Sequence, residues 1–469
     1  MIYSERIPTS IKFTYKNNND YSLQLTRWFL TPIAAWPRIC TSTIDRVSLQ
    51  AHILSCLSLI TIIMVPCLLY VSLEEKDIQI KLSVMGPLSH WIMGTINYWL
   101  LLMRSEDIRE CVRHMETDWK LVRRIDDQEV MLRYAKIGRF IAGFCAVFMQ
   151  SGTLLFVVAK AMTSITILVG NVTTSMHPMT CPIYTKFIDT RFSPANEIML
   201  AVELLSCFIV NSITVGACSL AAVFAMHAYG QLNMLFSWLN KLVADEENEY
   251  ADQKLAAIVE HHLRVLSFIS RMENIMQNIC LVELVGCTIN MCLLAYYFIT
   301  NWNIFDAGKL ISLVIIYLSM AFNIFVFCYI GETLTEQCKN VGEKAYMINW
   351  YELPHETALD LVLIIARSNN VIRLTAGKLF QLSIATFGDR RYPRMRATYG
   401  DGLEVGSKDR RPRYDATIRQ DWSFHRWILC GVYAERDVPF CHSQSDDIYY
   451  YSRGQRNDID APDDLSDLH

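Results

Sequence analysis

The sequence predicts an all-α, polytopic membrane protein with six full transmembrane helices and a cytoplasmic N-terminus. Three observations carry this. Charged residues make up 19% of the 469 and hydrophobic ones 52%, whereas a soluble domain sits near 25% charged. The apolar residues gather into six runs, each near the roughly 20 residues a helix needs to cross a bilayer. Lys and Arg concentrate in alternate connecting segments, the bias that orients a membrane chain.

Residues 1–46 read as a mixed, polar cytoplasmic segment. The first twenty have no apolar core and no small-residue cleavage site, so no signal peptide is expected. The first span is Val47–Leu73, with Pro66 expected to kink it. After the acidic turn Glu74–Asp77, the second span is Ile78–Met103. A charged linker, Arg104–Arg133, leads to the third span, Ile137–Ala159. A long loop, Lys160–Asn196, carries Pro178, Pro182 and Pro194 and one N-x-T sequon at Asn171. The fourth span is Ile198–Met226. A charged helical segment, Tyr229–Arg271, bends at Asp245–Glu249 and returns to the fifth span, Ile279–Ile299. The sixth is Leu310–Ile330, closing a six-helix region over 47–330. The N-terminus and the second and fourth linkers hold most of the Lys and Arg, which places them in the cytosol and Asn171 outside, where glycosylation occurs. That orientation is opposite to a G-protein-coupled receptor, and the third span opens Lys136-Ile137-Gly138-Arg139 without such a receptor's acidic-Arg pair. No internal repeat of the transporter kind is visible.

Chemistry-bearing constellations are absent from the pattern. The 15 cysteines include no CxxC pair and lie mostly in apolar runs, as small apolar fillers. There is no HExxH, GxSxG or phosphate-binding Gly loop. Neither catalytic residues, a metal site, a cofactor nor a nucleic-acid partner is expected. His261–His262, adjacent on a charged helix, reads as solvated surface. The informative residues are polar groups inside spans, which are costly in hydrocarbon. Gln150, Asn211, Asn290 and Asn323 read as interhelical hydrogen bonds. Glu203 and Glu283 read either as structural ion pairs, Lys160 being a candidate partner for Glu203, or as the walls of a water-filled cavity.

Residues 331–389 leave the sixth span through Gly331 and Glu332 into a charged helix and then the turn Asn349–Pro354. The run Leu359–Ala366 is too short to span. Nearly apolar all round, it is expected to be buried against protein. The pieces CYIGETLTEQC (Cys328–Cys338), NWYELP and TAGKLFQLS (Thr375–Ser383), with HMETDWKLV (His114–Val122) and GRFIAGFCAVF (Gly138–Phe148), resemble insect odorant receptors of the kind found in ants, bees and wasps. The resemblance extends over Pro32–Asp389. It implies a cytoplasmic anchor where four subunits meet, followed by a seventh, pore-lining helix beginning near Val371. It implies a subunit of a heteromeric odorant-gated cation channel, assembled with the family's shared co-receptor in the plasma membrane of an olfactory sensory neuron.

The resemblance also implies a pocket for a small volatile odorant in the outer half of the bundle. With the N-terminus inside, the outer segments are Val84–Ile92, Phe148–Phe156, Ile198–Cys207, Asn290–Phe298 and Leu310–Phe322. The candidate ligand-binding residues there are Phe148, Met149, Phe156, Met199, Tyr296, Tyr297 and Tyr317 for apolar contact, with Ser89, His90 and Ser151 for hydrogen bonds. The sequence departs from the family after Asp389. Arg390, Arg391, Arg394 and Arg396 follow, each costing about 2.5–3.5 kcal/mol at a helix centre, so the seventh helix is expected to be truncated. Residues 390–469 have the composition of a disordered tail, either a real alternative ending or translated non-coding sequence. A truncated, non-conducting or decoy member of the same family is the alternative reading, with a G-protein-coupled chemoreceptor behind it.

Overall fold

The computed structural model describes residues 9–38, 41–169, 172–244, 251–300, 307–370 and 372–384. The sequon's Asn171 and the tail 390–469 lie outside them. Among the described residues nine helices run in order: α1 (Thr9–Leu30), α2 (Thr43–Leu69), α3 (Ile78–Met103), α4 (Ser105–Leu121), α5 (Ile125–Met162), α6 (Ala195–Ala244), α7 (Ala251–Thr300), α8 (Ala307–Met347) and α9 (His355–Asn369). Two small antiparallel hairpins interrupt them, β1 (Ile165–Val169) with β2 (Val172–Met176), and β3 (Thr375–Ala376) with β4 (Phe380–Gln381).

Among the described residues five helices are long and apolar enough to cross a membrane: Thr43–Glu74, Ile125–Met162, Ala195–Val243, Ala251–Thr300 and Leu310–Met347. The first is α2, capped by a Ser42–Asp45 box and extended by a π-turn, Tyr70–Glu74. Pro66 lies inside it. The second span of the sequence reading appears as α3 with the same bounds, Ile78–Met103, but it is not among those five. Its polar residues, His90 and Asn97 among them, lower its hydropathy and turn inward. The centre of the bundle is α6. Its apolar span is 67% buried, against 28–41% for the other four. The small-residue run Val215–Ala222 allows that crowding: a Cβ on Gly216 would come within 2.4 Å of Leu30 Cδ2.

Several connectors are more ordered than the sequence suggests. The linker Arg104–Arg133 is mostly helix, divided between α4 and the start of α5. The sixth span does not end at Gly331 but continues unbroken to Met347. The start expected near Val371 for the seventh helix is a correction: residues 375–381 form the β3–β4 hairpin, and helix resumes only at Ile384. Gly377 and Lys378 both sit at φ +61, a left-handed turn that a continuous helix cannot contain. The hairpin is tied down by Glu273 on α7, which accepts from Thr375 N–H (3.1 Å) and from its hydroxyl, while Glu332 on α8 accepts from Ile384 N–H. Helix α9 is a second correction. Leu361 and Ile364 are buried, but Leu359, Val362 and Leu363 are 55–66% exposed, so only one stripe packs inward.

The His261–His262 pair is a third. His262 is buried, and His261 packs at a tilt against Trp238, centroids 4.7 Å apart, and bonds the Gln231 carbonyl (3.3 Å). The charged helices present some of their polar residues to other helices, while Asp252, Gln253 and Glu260 stay exposed. The clearest case is Asp118 on α4, nearly fully buried. Its carboxylate accepts from Arg264 Nε of α7 (2.7 Å) and His227 Nε2 of α6 (2.9 Å), with His114 Nε2 at 3.7 Å. Phe268 packs edge-on against both imidazoles, centroids 5.3 Å away. Burial pushes the Asp118 pKa up, but the His227 bond and charge, the His114 charge and the Arg264 bond outweigh it, so the net direction is down. His114 goes down as well, chiefly by burial, with Asp118 opposing and Arg264, His227 and Arg271 reinforcing.

The sign for His114 follows from linkage. A histidine whose folded pKa lies below its unfolded value of about 6.5 binds its proton more readily when the chain unfolds. Its contribution to stability is present above about pH 6.5 and is lost as pH falls. The detergent-solubilised protein is therefore expected to melt at lower temperature at pH 5 than at pH 7.5, with His114→Gln reducing the difference. An unchanged pH dependence in that variant refutes the assignment.

Candidate ligand-binding cavity

Inside the bundle α3, α5, α6, α7 and α8 line a cavity of about 610 Å³, within the 300–1,000 Å³ range of small-molecule sites. Its apolar wall comes from α7 and α8 through Leu293, Leu294, Leu313, Ile316 and Met320, and from α5 through Met149 and Val157. Its polar wall carries His90 on α3, Asn211 and Thr214 on α6, and Asn290 on α7. Lys160, Thr163, Thr180 and Pro182 close it at the loop end.

Of the residues proposed from sequence, His90, Met149 and Tyr297 line this cavity. Ser89 stands one layer back: its hydroxyl contacts Oδ1 of Asn290, which does line it. Phe148 is outside the wall, in an aromatic stack with Phe144 (5.8 Å) and Phe322 (5.4 Å). Ser151 is exposed and bonds the Phe148 carbonyl, and Met199 is buried elsewhere on α6. Tyr296 and Tyr317 are each 42% exposed and do not reach the cavity. The Phe156 side chain lies outside the described residues.

Of the two intramembrane glutamates, Glu203 has the Lys160 charge nearby, as the ion-pair reading expects, while Glu283 takes a form that neither sequence reading anticipated. Glu283, buried on α7, accepts from Asn97 Nδ2 of α3 (2.7 Å) and Asn323 Nδ2 of α8 (2.6 Å), with Cys287 Sγ at 3.8 Å. Amide N–H groups satisfy the carboxylate without a counter-charge, and Cys287 and Asn323 form the cavity floor above it. Glu203, fully buried on α6, accepts from the backbone N–H groups of Thr180 (3.2 Å) and Cys181 (2.8 Å). Lys160 donates to the neighbouring Met179 carbonyl (3.2 Å). Glu203 and Lys160 thus both pin the same piece of loop over the cavity. The amide readings fit: Asn211 Oδ1 meets His90 Nε2 at 3.1 Å, and Asn290 and Asn323 bond across helices. Gln150 differs, its amide atoms having no partner among the described residues.

A bundle of membrane-length helices around a largely apolar cavity has room for a small ligand. The chain belongs to the 7tm odorant receptor family, whose model matches residues 79–389. Among curated proteins it is 23% identical over 204 residues to Odorant receptor 10 of Aedes albopictus, covering 43% of this chain and 53% of that one. The match therefore spans about half the length of the mosquito protein. It is 20% identical over 349 residues to Odorant receptor 82a of Drosophila melanogaster, covering 73% and 89%. The solved insect olfactory receptor OR5 from Machilis hrabei shares the fold, with a TM-score of 0.61 at 15% identity over 78% of this chain and 95% of that one. The same receptor in complex with eugenol aligns with a TM-score of 0.56.

Proposed function

We propose that this chain is an odorant-sensing subunit of a cation channel, assembled with the family's shared co-receptor in the plasma membrane of an olfactory sensory neuron. The single observation that carries the reading is the largely apolar cavity of about 610 Å³ in a chain of the odorant receptor family. A volatile ligand is held there by dispersion and apolar burial, and it shifts a closed–open equilibrium by binding the open form more tightly. The exposed apolar stripe of α9 is suited to meeting another subunit. Expressed with the co-receptor, the chain is expected to give odorant-evoked cation current; expressed alone, none. A response that survives loss of the co-receptor and disappears with G-protein inhibition refutes the channel reading.

One observation favours a narrower version, in which the subunit senses ligand and its partners supply the pore. The hairpin occupies the chain through Gln381 and helix resumes at Ile384. Only six residues then precede Arg390, a stretch that even as a continuous helix would reach no more than about 9 Å against a hydrocarbon core of about 30 Å. We further propose that the N-terminus is cytoplasmic and Asn171 extracellular. In microsomes Asn171 is expected to be glycosylated, and a sequon engineered into Arg104–Arg133 is not. The reverse pattern overturns the orientation.

A further inference from the structure

We infer that the ligand of this cavity carries a hydroxyl group, as an alcohol or phenol, whose O–H donates to Nδ1 of His90. The inference rests on the cavity being the odorant site, and it adds the chemical class of the ligand and the residue that reads it. His90 lies on the cavity wall, with Nε2 3.1 Å from Oδ1 of Asn211. A carboxamide oxygen only accepts hydrogen bonds. The ring proton is therefore on Nε2, and Nδ1 keeps a bare lone pair. That nitrogen has no hydrogen-bond partner among the described residues.

The remaining walls narrow the class. Leu293, Leu313, Ile316 and Met320 offer hydrocarbon to the body of the ligand. Among the described residues no Asp or Glu lines the cavity, and Lys160 does. An ammonium ligand would meet a like charge and no opposite one. A pure hydrocarbon would fill the space but leave the Nδ1 lone pair dry, which is costly in an apolar site. An alcohol satisfies Nδ1 and leaves its carbon skeleton for the apolar wall. Turning the Asn211 amide would put the proton on Nδ1 and select a carbonyl instead, so the two arrangements predict opposite preferences.

The test uses the full chain with its co-receptor and matched triplets of one carbon skeleton: 1-octanol, octanal and octane; 2-phenylethanol, phenylacetaldehyde and ethylbenzene; and a terpene alcohol with its aldehyde and hydrocarbon. Half-maximal concentrations are read from evoked current, and surface delivery from labelling of intact cells. In at least one triplet the alcohol is expected to be about 10- to 100-fold more potent than the other two members. His90→Phe, which keeps the ring and removes both nitrogens, is expected to bring the members within about threefold of one another. His90→Asn, whose Oδ1 replaces the Nδ1 acceptor, is expected to restore part of the preference, and His90→Gln is not. Aldehydes outranking alcohols throughout, or an alcohol preference that survives His90→Phe at normal surface delivery, overturns the inference while leaving the odorant reading in place. If the surface-delivered complex answers no volatile of a broad panel, the odorant reading falls and the inference falls with it.

Discussion

Asp118→Ala is expected to remove most of the protein from the cell surface. Asp118 is the carboxylate on which Arg264, His227 and His114 converge, from three helices. Deleting it leaves the half-buried Arg264 guanidinium and two largely buried imidazoles with nothing opposite them. Removing one partner of a buried charge pair costs about 3–5 kcal/mol, a large share of the 5–15 kcal/mol that ordinarily separates folded from unfolded chains. Asp118→Asn keeps the shape and the acceptor oxygen but loses the charge, so it should fall between wild type and Asp118→Ala. Surface biotinylation and thermal melting in detergent read this directly. A melting curve for Asp118→Ala superimposable on wild type would mean that the cluster holds nothing together.

Gly331→Val is the second large effect. A Cβ on Gly331 would stand 2.7 Å from the Leu382 carbonyl oxygen and 2.8 Å from its Cβ. Neither can withdraw easily, because Leu382 N–H is bonded to the Leu374 carbonyl (3.0 Å). The other end of the hairpin is equally tight, with Gly377 against Leu281. Overpacking of this kind costs about 1–3 kcal/mol or more, and here it must be relieved by moving the hairpin off α8. The expected outcome is a lower melting temperature and loss of evoked current. Gly86→Ala serves as the stability control, because nothing lies within 4 Å of a Cβ there. Equal melting of the two variants would show that α8 and the hairpin are free to separate.

The sequence made the polar economy of the bundle legible and its rotational settings illegible. Asn211, Asn290 and Asn323 could be read as interhelical partners because an amide in hydrocarbon must find one, and they have. The limits of α3 were readable because an acidic turn and Arg104 bracket an apolar run. The facing of each span was not. Tyr297 lines the cavity while Tyr296, about 100° round the helix, is 42% exposed. Both are equally aromatic, and a span that meets lipid on one side and protein on the other has no polar face to set its phase. Asp118 was visible only as part of HMETDWKLV. Its partners lie 109 and 146 residues downstream, and no local pattern announces them. The β3–β4 hairpin was hidden for a similar reason: Gly377 was a legible turn residue, but its anchor, Glu273, is 102 residues upstream of Thr375.

The polar face of α3 has a consequence for how the protein is made. A span emerging from the ribosome enters the membrane on the strength of its own hydropathy, and α3 enters carrying Ser89, His90 and Asn97 among its apolar residues. The groups that satisfy it are synthesised much later. Trp91 waits 115 residues for Ser206, His90 waits 121 for Asn211, Asn97 waits 186 for Glu283, and Ser89 waits 201 for Asn290. Until α6 and α7 arrive, the side chains that later form the cavity's polar wall and floor are a burden in lipid. Early α3 must stay beside the insertion machinery or lean on α2. The residues of the cavity's polar wall therefore also bear on the order of assembly, and polar substitutions in this wall are expected to be felt first as a defect in biogenesis.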